Sequence, residues 1–233
     1  MKIGLLVCDH ARTEFISSEG SYPEMFRKLL PDFDFTDYYV CDGLFPGSPD
    51  DQEGWIISGS KLSVYGDIEG IQRLKDFTRQ IYHSGRPCIG VCFGHQMIGA
   101  ALGGTVRKAE TGWCVGIHEF EFVSVVPWLN PKLDRANLRM MCQDQVISLP
   151  PDSTLIARSA HIPNAIIQVG RNMLGIQGHP EFSKDFEYHL IQLNAQYLEP
   201  GQAEEGIESL QQIAHNEEIG EIMKSFLLSE LMC

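Results

Sequence analysis

Basic residues are scarce in this chain. Its 233 residues include 18 Lys and Arg against 31 Asp and Glu, a formal net charge of −13 at pH 7. A field of that sign repels phosphate, so no nucleic acid and no anionic membrane surface is expected as a partner. Long apolar runs are missing too, and nothing approaches the roughly 20 residues that cross a bilayer. The first run, Ile3 to Val7, meets Asp9 and His10 before it reaches the length of a signal h-region, and it reads as a strand. No repeat with a period of about 20 to 50 residues is visible, nor is a Gly-rich ATP pyrophosphatase or Walker-type loop. The seven cysteines are scattered without paired spacing. That argues against a secreted disulfide framework and leads us to expect no metal and no cofactor. A reducing cytoplasm suits these thiols.

What is present is an ordinary globular composition, 43% apolar and 21% charged, in a chain long enough for one substantial core. Through the first hundred residues, short β-branched runs alternate with amphipathic segments, the pattern of a parallel sheet covered by helices. Strands are predicted at 3–7, 35–40, 54–58 and 87–91, and helices at 22–30, 69–85 and 94–104. In the second helix Ile71, Leu74, Phe77, Thr78 and Ile81 keep the i, i+3, i+4 spacing of a buried face, and Gly85 is its expected stop. From about residue 105 the pieces become close-set and strand-like, an antiparallel excursion that returns to the main sheet at 174–181. From Ser183 onward the chain reads as helical, with a stretch over 183–198 and a second over 204–231 after Pro200-Gly201. The expected fold is α/β: a flavodoxin-like, mostly parallel sheet with helices on both faces, a small antiparallel excursion and C-terminal helices. The expected division is a main domain over 1–190 and a helical extension over 191–233 packed on it.

Three stretches carry chemistry. In "GVCFG", Cys92 sits where an apolar strand turns into a helix, and the flanking glycines remove Cβ clashes from a tight turn. The N-terminus of the following helix would favour a thiolate and an oxyanion. Alone, Cys92 reads equally as an inert strand thiol. A zinc site from Cys88, Cys92 and His95 lacks a second ligand pair. In "GHPEF", Pro180 rigidly links His179 to Glu181, so the carboxylate can set the imidazole tautomer. In "IISGSKLSVY", Ser58-Gly59-Ser60 ends a strand and can present backbone N–H groups that join the amide of Phe93 as an oxyanion hole.

Together, G-V-C-F-G-H-Q, the downstream H-P-E and "SGSKLSVY" resemble the signature of class I glutamine amidotransferases. "GSYPEMF" and "GWCVGIHEFEF" are similar to the free-standing GMP-synthetase-like branch, and the resemblance covers about residues 1 to 190. It implies that Cys92 attacks the side-chain amide of glutamine, releasing ammonia and glutamate through a γ-glutamyl thioester. His179 would shuttle the proton and Glu181 orient it, while Phe93 and Gly59 or Ser60 would hold the oxyanion. Gln96 would help to hold the substrate. Where the branch has Ser-His-Gly-Asp, this chain has Met141, Cys142, Gln143 and Asp144. Cys142, Gln143 and Asp144 are therefore expected at the amino-acid end of the pocket, with Asp144 toward the α-ammonium. Because no synthetase module is present, ammonia would go to a separate acceptor subunit. Alternatively the enzyme hydrolyses γ-glutamyl peptides, as plant γ-glutamyl peptidases of this branch do. Relatives with the same core also act as redox-sensing or chaperone-like proteins, which would not need His179 and Glu181 as a pair.

Overall fold

The computed structural model describes residues 1–12 and 20–229. The strands are β1 (Lys2–Leu6), β2 (Asp34–Tyr38), β3 (Gly54–Ile57), β4 (Cys88–Val91), β5 (Thr105–Lys108), β6 (Cys114–Phe122), β7 (Arg135–Cys142), β8 (Asp144–Ser148), β9 (Ser153–Arg158), β10 (Ile166–Val169) and β11 (Met173–Ile176). The helices are α1 (Tyr22–Leu29), α2 (Glu69–Ser84), α3 (Phe93–Ala101), α4 (Lys184–Asn194), α5 (Gln202–Ser209) and α6 (Asn216–Ser229). Nine strands form one sheet in the order β2-β1-β3-β4-β11-β10-β9-β6-β7. Its first five strands are parallel, and the rest pair antiparallel. The predicted excursion thus enlarges the main sheet through β10, β9, β6 and β7, while β5 and β8 form a separate ribbon.

Side chains alternate across this sheet, as the pleat requires. Ile3, Leu5, Ile56, Ile89, Val91 and Ile176 face one way, onto Phe26 of α1 and Ile222 and Phe226 of α6. Leu6, Trp55, Ile57, Cys88 and Met173 face the other way, onto Leu74, Phe77 and Ile81 of α2 and Met97 of α3. Each such side chain contributes about 1.5–3 kcal/mol of burial free energy, so both layers hold the strand ends rigidly. The α2 stripe is the one its spacing predicts, and Gly85 stops the helix with a φ of 75°.

The C-terminal segment departs from expectation. The single predicted stretch over 204–231 is two helices, α5 and α6, and Glu230 and Leu231 lie outside the described residues. Tertiary contacts explain the break: His215 pairs with the backbone of Asn137 on β7 in both directions, each at 2.9 Å. Asn216 accepts from Arg139 Nη1 at 2.9 Å and donates to the carbonyl of Phe182 at 2.8 Å. Preceding the break, α5 packs on β6, where Ile117 N–H donates to Ser209 Oγ at 2.8 Å. Among the described residues no helix is long and apolar enough to cross a membrane.

Candidate active site

The site forms where β4 and β11, adjacent and parallel, reach their C-terminal ends. Cys92 closes β4 and precedes α3 with φ 53° and ψ −103°. A positive φ on a residue with a side chain stores about 1–3 kcal/mol, and it persists because the surroundings leave no alternative. The Cys92 N–H donates to Ile176 O at 2.8 Å, and its carbonyl accepts from Gln96 N at 3.0 Å. The glycines beside it are obligatory by space: a methyl on Gly90 would lie 2.2 Å from Gly94 O, and one on Gly94 would lie 2.2 Å from Ile57 O. Cys92 therefore sits on a strained elbow, buried to 6% exposure, at the N-terminus of α3. Phe93 is the first residue of that helix, so its N–H is among the donors without an intrahelical partner.

His179 arrives from the chain that leaves β11, held by its N–H to Arg139 O at 2.9 Å. Its Nδ1 lies 2.8 Å from Glu181 Oε1, and its ring stacks on Phe182 at 3.9 Å with planes 6° apart. Both residues are buried. Burial alone would depress the imidazole pKa. The charges of Cys92 and Glu181, with hydrogen bonds to both, outweigh it and hold His179 well above its ordinary value. Cys92, His179 and Glu181 thus stand in series, an arrangement that can keep an imidazolium beside a thiolate and pass a proton to a departing group.

The Ser58-Gly59-Ser60 loop covers this pair. A methyl on Gly59 would sit 3.1 Å from His179 Cε1 and 3.9 Å from Cys92 Cβ. Ser58 turns its hydroxyl inward to accept from Cys8 N–H at 2.9 Å, and Ser60 Oγ accepts from Leu62 N–H at 3.2 Å. Lys61 anchors the loop to Asp9, through Nζ at 2.8 Å and its own N–H at 3.2 Å.

The expected substrate residues divide. Gln96 is buried and donates through Nε2 to Asp144 O at 2.7 Å and to Gln177 Oε1 at 3.2 Å, which locks β8 against the elbow. Asp144 is half-buried, and its carboxylate accepts from Ser63 Oγ at 2.5 Å and from Tyr65 Oη at 2.8 Å. Gln143 accepts through its carbonyl from Ala109 N–H at 2.9 Å. Cys142 is turned onto Cys114, its register partner on β6. Contact with the Cys142 thiol outweighs burial and, with His118, pulls Cys114 down to about 5. The same contact, together with burial, holds Cys142 well above its usual value. Cys88, Cys92 and His95 do not converge as metal ligands: among the described residues only His10, Cys41 and Asp42 gather three candidate donors.

Several residues near the site escaped sequence reasoning. Ser63 and Tyr65 lay within the quoted loop, but their partner is 81 and 79 positions away. Tyr22 packs on Phe182 at 6.3 Å and on Phe186 at 6.1 Å, backing the His179 ring stack. Glu187 on α4 is fully buried, and burial pushes its carboxyl up to about 8 against the opposing pull of His179. Tyr22 lies within the GSYPEMF motif, whereas no local signal marks Glu187.

Comparison with known proteins places these features in a family. The family model for glutamine amidotransferase class-I matches residues 48–194. γ-Glutamyl peptidase 4 of Arabidopsis thaliana is 34% identical over 182 residues, covering 74% of this chain and 72% of the relative. The γ-glutamyl-L-1-hydroxyisopropylamide hydrolase of a Pseudomonas species is 27% identical over 204 residues, covering 78% of this chain and 68% of the relative. The crystal structure of a glutamine amidotransferase from Thermotoga maritima superposes with a TM-score of 0.75 at 18% identity, over 98% of this chain and 96% of that one.

Proposed function

The chain belongs to the class-I glutamine amidotransferase family, and on that premise we propose that it hydrolyses γ-glutamyl amide bonds through a thioester on Cys92, with γ-glutamyl peptides as the substrate class. The observation that carries the reading is the buried 2.8 Å contact between His179 and Glu181 beside the strained Cys92 elbow. In the first step Cys92 Sγ attacks the γ-carbonyl carbon. The N–H groups of Phe93 and of Gly59 or Ser60 receive the oxyanion, and His179 protonates the departing amine as the C–N bond breaks. In the second, His179 takes a proton from water as the water attacks the thioester, and the thiolate leaves with glutamate formed. Glu181 keeps the imidazole in one tautomer throughout. Asp144 receives the substrate's α-ammonium, oriented by Ser63 and Tyr65, and Gln96, Cys142 and Gln143 wall that end. Residues 1–190 form the catalytic unit and 191–233 an extension packed on it, working in the cytoplasm.

The peptide substrate class is supported by relatives named for γ-glutamyl hydrolysis and by Met141, Cys142 and Gln143 standing where the GMP-synthetase-like branch has Ser-His-Gly. A second reading, glutamine hydrolysis with ammonia passed to a separate acceptor subunit, is favoured by the likeness to solved glutamine amidotransferases. The redox-sensing or chaperone-like alternative leaves the His179–Glu181 contact without a use. The test is a substrate panel of glutamine, glutathione and further γ-glutamyl dipeptides, assayed for released glutamate and amine beside Cys92→Ala. The expected result is turnover of γ-glutamyl peptides exceeding that of glutamine by at least about tenfold, and none in the variant. Preference for glutamine selects the second reading. No turnover of any compound, with Cys92 resistant to alkylation by a glutamine-like chloroketone, overturns both.

A further inference from the structure

Three donor atoms of different chemistry meet outside the Cys92 constellation. β1 and β2 are parallel neighbours in register from Lys2↔Asp34 to Leu6↔Tyr38, so the residues following them emerge side by side. His10 follows β1, and Cys41 and Asp42 lie in the short turn after β2. Backbone bonds lock the two ends, Val7 N–H to Tyr38 O at 2.9 Å and Cys41 N–H to Val7 O at 3.2 Å. Tyr39 stacks on the His10 ring at 5.5 Å with planes 17° apart, which limits the imidazole's rotation. His10 Nε2 then lies 3.0 Å from both carboxylate oxygens of Asp42 and 3.6 Å from Cys41 Sγ. All three residues are exposed, and one ligand atom from each lies within 4.8 Å of the others.

We propose that His10, Cys41 and Asp42 form a binding site for a divalent transition metal of the zinc class, with a fourth position open to water or an external ligand. The distances fit. With Zn–N about 2.05 Å, Zn–S about 2.3 Å and Zn–O about 2.0 Å, tetrahedral geometry puts N and S about 3.6 Å apart and N and O about 3.3 Å apart. The observed separations reach those values with movements of a few tenths of an ångström. Imidazole, thiolate and carboxylate together select zinc, cobalt or copper over calcium and magnesium, which want oxygen alone. The field fits as well. The Asp42 carboxylate beside the Cys41 thiol attracts a dication to the cluster. An exposed His–Asp pair by itself adds little to stability, so a salt bridge alone does not account for the cluster.

The test uses the full chain carrying Cys92→Ala, which removes the site thiol as a competing ligand. Cobalt(II) titrated into it under reducing conditions gives one saturating equivalent, with a thiolate-to-cobalt charge-transfer band and tetrahedral d–d bands, displaced stoichiometrically by zinc. Cys41→Ser abolishes the charge-transfer band, and His10→Ala and Asp42→Asn each weaken zinc binding at least about tenfold. Far-ultraviolet circular dichroism of each variant matches the parent, because all three side chains are at the surface. A parent without a saturable band, or a band that survives Cys41→Ser, overturns the proposal.

Discussion

Ser63 donates a hydrogen bond to the Asp144 carboxylate at 2.5 Å, tying the loop that covers Cys92 to the first residue of β8. Tyr65 donates to the other carboxylate oxygen at 2.8 Å. Two hydroxyls, one on each oxygen, fix the plane of the carboxylate. Tyr65→Phe removes one of these bonds, worth about 1 kcal/mol, and is expected to raise KM for γ-glutamyl substrates several-fold with kcat nearly unchanged. Asp144→Asn raises KM further. Steady-state kinetics decides: a fall confined to kcat in Tyr65→Phe places the carboxylate outside substrate binding.

Cys92 combines a positive φ with the sulfur proposed to react, so chemistry and stability respond oppositely to one substitution. Cys92→Gly is expected to lose hydrolysis by at least about a thousandfold and to be about 1 kcal/mol more stable than Cys92→Ala, because glycine adopts φ 53° without a Cβ penalty. Urea unfolding of the two variants measures the difference. Equal stabilities mean that the elbow stores no strain.

His179 titrates well above its ordinary 6.5 because Cys92 and Glu181 outweigh its burial. A raised folded-state pKa gives stability that is complete below about 6.5 and disappears as pH rises through the folded value. Glu181→Gln removes one of the two charges. The imidazole should then lose its proton at lower pH, visible in its NMR titration, and kcat/KM should fall about a hundredfold or more. An unshifted titration assigns the raised pKa to Cys92 alone.

Glu187 is raised from 4.5 to about 8 by burial. Its folded form holds a proton that the unfolded chain has released, so this group's contribution is complete below pH 4.5 and lost as pH climbs to about 8. Glu187→Gln is expected to be more stable than the wild type at pH 8.5, by about 2 kcal/mol, with the gap closing toward pH 4.5. A gap that does not depend on pH indicates that Glu187 is ionised throughout.

Much was legible because it is local. The spacing of Ile71, Leu74, Phe77 and Ile81 set the buried face of α2, and Gly90 and Gly94 marked the turn at Cys92. His179 and Glu181, two residues apart with Pro180 between them, announced a contact that the short link makes almost unavoidable. What the tertiary structure alone decided depends on partners distant in the chain. Glu121 pairs with Arg158 to carry the antiparallel strands into the main sheet, Asn137 breaks the C-terminal helix at His215, and Cys142 meets Cys114 across the β6–β7 pairing. Asp144 found Ser63, and His10 found Cys41 and Asp42, only after strand order had been chosen. Periodicity and turn chemistry are properties of neighbouring residues, whereas register between remote strands is settled by which apolar faces can be buried together.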